Sequence, residues 1–182
     1  MTIGISIRRE HPADVEPIAQ VHQKAFGPDE PISALVARLR QLDAPLATVS
    51  LVAADDAGSI QGHVMLSHAW LDAPDRLIDI LVLSPLGVAP DAQRKGIGTA
   101  LLQKAIKEAQ ATSAPILILE GNPKFYGPRG FEPSKPLGIR APSLRIPERA
   151  LQVVRLPSYD KAISGSLVYR DLWWELDCVG LR

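Results

Sequence analysis

The run from Leu77 to Gln110 constrains this chain more than any other. An apolar stretch, Leu77 to Val88, is interrupted at Pro85 and leads into Ala89-Pro-Asp-Ala-Gln93-Arg94-Lys95-Gly96-Ile97-Gly98-Thr99. After that, Ile97, Ala100, Leu101, Ala105 and Ala109 recur at helical spacing. The spacing predicts a strand, a tight turn and a helix from about Gly96 to Gln110. Proline donates no ladder hydrogen bond, so Pro85 predicts a bulge or a strand that leaves its neighbour there. The two glycines let the backbone turn sharply and approach a ligand closely. The helix start offers unpaired N–H groups and a partial positive charge, which favour an anion. Arg94 and Lys95 add cationic charge, so the segment reads as a cradle for a pyrophosphate. A P-loop would need its Lys after the second glycine, and here Lys95 precedes both. A dinucleotide fingerprint would need a third small residue where Leu101 stands.

The remaining elements are read around this core. Ile3, Ile5 and Ile7 alternate with polar residues, as in a half-buried strand. Val15, Ile18, His22, Ala25 and Phe26 form one helical stripe, stopped by Gly27 and Pro28, and Ile32, Leu35, Val36, Leu39 and Leu42 form a second. Thr48–Ala54 and Ile60–Trp70 read as a hairpin about Asp55-Asp56-Ala57-Gly58. Ile116–Leu119 suits a buried strand. Pro123–Tyr126 suits a short helix, Ala150–Leu156 a late strand, and Gly165–Leu176 a strand or an extended tail. The order βααβββαβαββ predicts an α/β or α+β chain with one mixed sheet. A single domain over residues 1–182 is expected, with a Pro-rich segment at 133–157 and a C-terminal extension at 158–182.

Composition removes whole classes of function. Twenty Lys+Arg balance twenty Asp+Glu, so the basic excess of a broad nucleic-acid surface is missing. One cysteine, Cys178, excludes an internal disulfide framework and any multi-cysteine metal site. No metal is expected from His63 and His68 either, since five residues apart on a strand they face opposite sides. No apolar run reaches the roughly 18 residues of a membrane span. The first ten residues lack the apolar core of a signal peptide, and a cytoplasmic location is the expectation.

The residues Val88-x-Pro-x-x-Gln93-x-x-Gly96-x-Gly98 resemble the acyl-CoA signature of the GNAT superfamily, the Gcn5-related N-acetyltransferases. Tyr126-Gly-Pro-Arg-Gly130-Phe131 resembles a second element of that family, Tyr-x-x-x-Gly-Phe. Glu120-Gly-Asn-Pro-Lys-Phe-Tyr-Gly resembles the bacterial YhbS-like branch. The element order agrees over nearly the whole chain. The resemblance implies the GNAT fold, a mixed central sheet splayed between the fourth and fifth strands and flanked by helices.

It also implies a function and a site. The function is transfer of an acetyl group from acetyl-CoA to a primary amine of a small molecule, peptide or protein, by direct attack. The backbone from Gln93 through Arg94, Lys95, Gly96, Ile97 and Gly98 to Thr99 would bind the pyrophosphate of CoA. The exposed backbone of Leu86, Gly87 and Val88 would bind the pantetheine amides, and an N–H near Val88 would hold the acetyl carbonyl oxygen. Tyr126 would protonate the departing thiolate. Asn122 is most simply a helix cap, and the resemblance implies that it would lie close to the thiol. Several family members carry a basic Glu or His at positions matching Val82 and Ser84, and this chain has neither. Ser84 could order a water; Glu120 is a candidate base, with Asp79, His68 and Glu30 behind it. The missing base keeps open a second reading, an inactive acyl-CoA-binding sensor or partner-binding module, and a longer acyl group is a third.

The acceptor site is expected between the Phe26–Ile32 connection, the strand from Leu77 and the Pro133–Pro147 segment. Trp173 and Trp174 either line it or pack the tail, and Cys178 is read as incidental. The expected partners are acetyl-CoA and an amine, with no nucleic acid and no membrane. A homodimer paired through late strands is compatible with the family.

Overall fold

A computed structural model describes residues 4–180; Ile3 lies outside the described residues. Among the described residues nine strands form one sheet. Strand β1 (Ile5–Arg9), helices α1 (Val15–Phe26) and α2 (Ile32–Arg40), and strands β2 (Val49–Asp55), β3 (Ile60–Asp72) and β4 (Leu77–Val88) come first. Helix α3 (Ile97–Gln110), β5 (Ile116–Glu120), α4 (Pro123–Tyr126), the two-residue strands β6 (Glu132–Pro133) and β7 (Ile139–Arg140), β8 (Leu151–Arg155), β9 (Gly165–Val168) and α5 (Asp171–Glu175) follow. The ambiguous tail is thus a strand and a helix, and the Pro-rich stretch contains two short strands.

The strands run β1-β2-β3-β4-β5-β8-β6, and β9 pairs with the end of β3 that extends past β2. The β4–β5 pair is parallel and the others on that path are antiparallel. Each face of the sheet carries its own core. Ile18, Leu35, Val36 and Leu39 of α1 and α2 pack with Met65, Ile80, Val82 and Ile118 on one side. Leu101, Leu102 and Ala105 of α3 pack with Leu51, Val64, Leu81 and Leu117 on the other. Leu102, outside the stripe read from the sequence, is fully buried, while Ala100 is only half-buried. Burying a leucine of this kind contributes about 2 kcal/mol.

Two irregularities in β4 make room for a site. Val64 pairs with Leu86 and Leu66 with Leu83, so Met65 alone faces the two residues Ser84 and Pro85. That extra residue is the bulge that Pro85 predicts. On the other edge, β4 meets β5 only at Leu81↔Leu117 and Val82↔Ile118. Beyond Val82 the two strands part, and β5 continues alone with β8. This is the splay between the fourth and fifth strands.

Candidate active site

The splay opens two concavities that share Leu86 and Tyr126. The first is a groove lined by Leu86, Val88, Gln93, Arg94, Gly96, Gly98, Thr99, Asn122, Phe125, Tyr126 and Arg129. Its floor is the turn before α3. Gly96 caps that helix at φ +85°, a left-handed conformation that costs a side-chain-bearing residue strain, and it has open space around its Cα. Arg94 is also left-handed, at φ +61°. The Gln93 side chain donates to the Val88 carbonyl at 3.1 Å, tying the turn to the end of β4. The free N–H groups of the first turn of α3 therefore face a groove. Lys95 is exposed and donates to the Asp91 carbonyl at 2.7 Å, outside the groove lining. Ile97 is buried in the α3 core, and Gly87 lies under α1.

Arg129 is the groove residue that sequence reasoning missed. Its guanidinium lies 4.1 Å above the Phe125 ring, and donates to Thr99 Oγ1 at 2.9 Å and to the Phe125 carbonyl at 2.5 Å. The contact joins α4 to the start of α3. In the sequence Arg129 occupies a spacer position between Tyr126 and Gly130, where no signal marks it. Asn122 is the expected helix cap, its Oδ1 accepting from the Lys124 N–H at 3.0 Å, and the residue also lines the groove.

The second concavity has a volume of about 310 Å3. Its walls are Phe26, Glu30, Pro31 and Ile32 between α1 and α2, Leu83–Leu86 of β4, Glu120 and Tyr126, and Tyr169, Trp173, Asp177, Cys178 and Gly180 from the C-terminal segment. The Pro133–Pro147 segment, expected as a third acceptor wall, is not among them. The Pro-rich segment lines a separate hollow around Ser134, Arg140, Ile146 and Leu151. Its Arg145 forms an ion pair with Asp177 of the cavity wall. Trp173 is buried and lines the cavity, stacked on Tyr169 at 4.9 Å, whereas Trp174 is partly exposed.

Of the residues singled out for chemistry, Tyr126, Glu120 and Ser84 come together in this cavity. The Tyr126 ring is clamped edge-on by Phe125 and Phe131 and lies against Gly121, where a methyl group would collide with it. Burial pushes its hydroxyl up to about 12. Glu120 Oε1 accepts from the Tyr169 hydroxyl at 2.6 Å, and Oε2 from the Gly180 N–H at 3.0 Å. Burial raises the Glu120 carboxyl above the usual range, against the lowering effect of these donors. Burial also lifts the Tyr169 hydroxyl well above its usual value, with the Glu120 charge adding to it. His68 and Asp79 pair with each other at 2.7 Å, and Arg170 joins His68 at 3.2 Å; none of the three lines the cavity.

Residues 47–133 match the acetyltransferase (GNAT) domain family. The uncharacterized N-acetyltransferase YhbS of Escherichia coli K12 is 30% identical over 161 residues, 87% of this chain and 90% of YhbS. The uncharacterized N-acetyltransferase YjhQ of the same organism is 27% identical over 121 residues, which is 66% of each chain. The crystal structure of E. coli YhbS in complex with CoA superposes with a TM-score of 0.82 at 25% identity, over 95% of this chain and 93% of that one. A GNAT family acetyltransferase from Brucella melitensis, in complex with acetyl-CoA, shares the fold with a TM-score of 0.73 at 24% identity, over 93% of this chain and 98% of that one. Among the described residues no helix is long and apolar enough to cross a membrane.

Proposed function

The chain belongs to the GNAT family of acetyltransferases, and on that premise we propose that it transfers an acetyl group from acetyl-CoA to a primary amine by direct attack. The observation that carries this reading is the meeting of groove and cavity at Leu86 and Tyr126. The donor fits the groove. An N-terminal helix turn with open space at Gly96, and the cations Arg94 and Arg129, suit a pyrophosphate. The β4 backbone beyond Val82 has lost its β5 partner and suits the pantetheine amides. Acetyl-CoA bound there would supply an activated thioester.

The chain's own residues then act as follows. Leu86 to Val88 hold the chain of the donor by backbone hydrogen bonds, and an N–H at the end of β4 steadies the carbonyl oxygen. Tyr126 donates a hydrogen bond to the sulfur as it gains charge. A hydroxyl held near 12 stays protonated throughout the working range, so it is a donor at every relevant pH. Its role is to stabilise the sulfur as the C–S bond breaks, and the thiolate takes up the proton that the attacking nitrogen releases. Glu30, Glu120 and Asp177 line the cavity without a Lys, Arg or His among its walls, which suits a cationic amine. Both Glu120 oxygens already accept hydrogen bonds, so we assign Glu120 to shaping the wall and attracting the ammonium. Ser84 sits at the bulge, where its hydroxyl can order a water. Holding both reactants in one geometry supplies most of the rate.

The test is a panel of primary amines with acetyl-CoA, read by thiol release, for wild type and Tyr126→Phe. Acetylated product with one amine class and a large loss in the variant is expected. Tight acetyl-CoA binding without turnover on any amine would instead support a binding module.

A further inference from the structure

Arg129 does more in this structure than add charge to the groove. Its Nε donates to Thr99 Oγ1 and its Nη1 to the Phe125 carbonyl. Thr99 stands in the first turn of α3, and Phe125 immediately precedes Tyr126 in α4. One planar guanidinium thus ties the turn that suits the diphosphate to the peptide that carries the tyrosine. These contacts use two of its five N–H groups. Three are left for a ligand in the groove, which the residue lines.

The Phe125 ring is the second half of the link. The Arg129 guanidinium lies over it, and its edge reaches α3, where a Cβ on Gly98 would sit 3.5 Å from Cζ. The Tyr126 ring meets Phe125 edge-on at 4.9 Å and Phe131 at 5.6 Å. Ring pairs hold over centroid separations of roughly 4.5–7 Å, so ring contacts by themselves locate a hydroxyl poorly. The helix that carries Tyr126 is also too short to be rigid on its own, at four residues. Asn122 caps its start, and Arg129 clamps its end onto α3.

We propose that Arg129 is a positioning residue, which couples binding of the donor's diphosphate to the placement of the Tyr126 hydroxyl at the departing sulfur. This rests on the acetyltransferase reading of the groove. A diphosphate that takes the remaining N–H groups holds the guanidinium from a third side, beyond Thr99 and the Phe125 carbonyl. Helix α4 then loses its freedom relative to α3. The tyrosine is fixed against the thioester of the same bound molecule. Binding energy from a part of the donor that does not react is in this way used to align a group that does. The fork is essential to this role. A lysine would carry the charge, but an ammonium on a flexible stem does not bridge three partners in one plane.

The test is kinetic, with an amine that the wild type acetylates. Arg129→Leu should lower kcat about tenfold, besides weakening the donor. In a Tyr126→Phe background the same substitution should leave kcat where Tyr126→Phe alone puts it, because Arg129 acts through the tyrosine. Arg129→Lys should recover the KM for acetyl-CoA and not kcat. Acetyl-pantetheine lacks the diphosphate and needs no variant. It should cost the wild type about tenfold in kcat, and Arg129→Leu almost nothing further. A second full loss in the double variant, a kcat restored by Arg129→Lys, or a wild-type kcat that is the same with acetyl-pantetheine overturns the positioning role and leaves the transferase reading standing. An Arg129→Leu variant that loses only melting temperature does the same. A wild type that releases no thiol with any amine overturns both.

Discussion

The groove and the cavity share two residues and are built by opposite rules. The groove is assembled from two short stretches, Leu86–Thr99 and Asn122–Arg129, and its charges are basic. The cavity draws on four distant parts of the chain, Phe26–Ile32, Leu83–Leu86, Glu120–Tyr126 and Tyr169–Gly180, and its charges are acidic. A ligand with one invariant structure can be met by a local motif of backbone N–H groups. Side chains on a loop and a tail, by contrast, can change without disturbing the sheet. The donor and acceptor sides should therefore respond separately to substitution.

The largest effect is expected on the donor side. Gly96→Glu places a side chain at φ +85° and a negative charge at the start of α3. Acetyl-CoA affinity measured by calorimetry should fall about 100- to 1000-fold, the sum of strain and lost anion attraction. Unchanged affinity would remove the groove from the donor site.

Acid should strike the acceptor side first. His22 titrates near 4 in the folded chain and near 6.5 when unfolded, so between these values the unfolded chain binds more protons. Its contribution is complete above pH 6.5 and is lost as pH falls toward 4, by about 3 kcal/mol. His63 is shifted in the same direction by burial and by its neighbours, and adds to the loss. Urea unfolding between pH 7 and 4 should show the decline, and His22→Gln should flatten it. A wild-type midpoint independent of pH over that range would contradict the buried, neutral pair.

Tyr126→Phe tests the residue that both sides share. Its kcat should drop about 100-fold, with little change in either KM, because the hydrogen bond to sulfur forms only as the bond breaks. Smallest and most discriminating are two single-sided changes. Arg129→Leu should raise KM for acetyl-CoA about fivefold and leave the amine KM alone. Glu30→Gln should do the converse, by about the same factor. If either substitution moves both constants, the two sides are coupled through the splay.

Legibility followed the same division. Gln93, Arg94, Gly96, Gly98 and Thr99 line one groove, since neighbours in the chain stay neighbours in a turn, and Asn122 joins them there. The side chains of Ile97 and Lys95 point elsewhere, the first into the α3 core and the second, ahead of the helix, to solvent and the Asp91 carbonyl. The cavity walls were half legible. Phe26 and Glu30 to Ile32 line the cavity, but the Pro-rich segment does not. Its place is taken by Tyr169, Trp173 and Gly180, which reach the cavity because β9 pairs back onto β3. Nothing in the spacing of those residues announces that pairing. The histidines show the same limit. His63 and His68 were separated correctly by strand alternation, but the partner of His63 is His22, forty-one residues earlier.

By itself, then, the sequence determined the element order, the break of β4 at Pro85 and the tight glycine turn before α3. These depend on periodicity and on backbone groups within a few residues of one another. Only the tertiary structure decided which carboxylates line the cavity, that Arg129 reaches Thr99, and that Glu10 after β1, Ser50 of β2, His63 of β3 and His22 of α1 make one hydrogen-bonded chain. Those facts depend on which distant surfaces the two cores bring together, and burial then gives the few polar groups caught between them their altered chemistry.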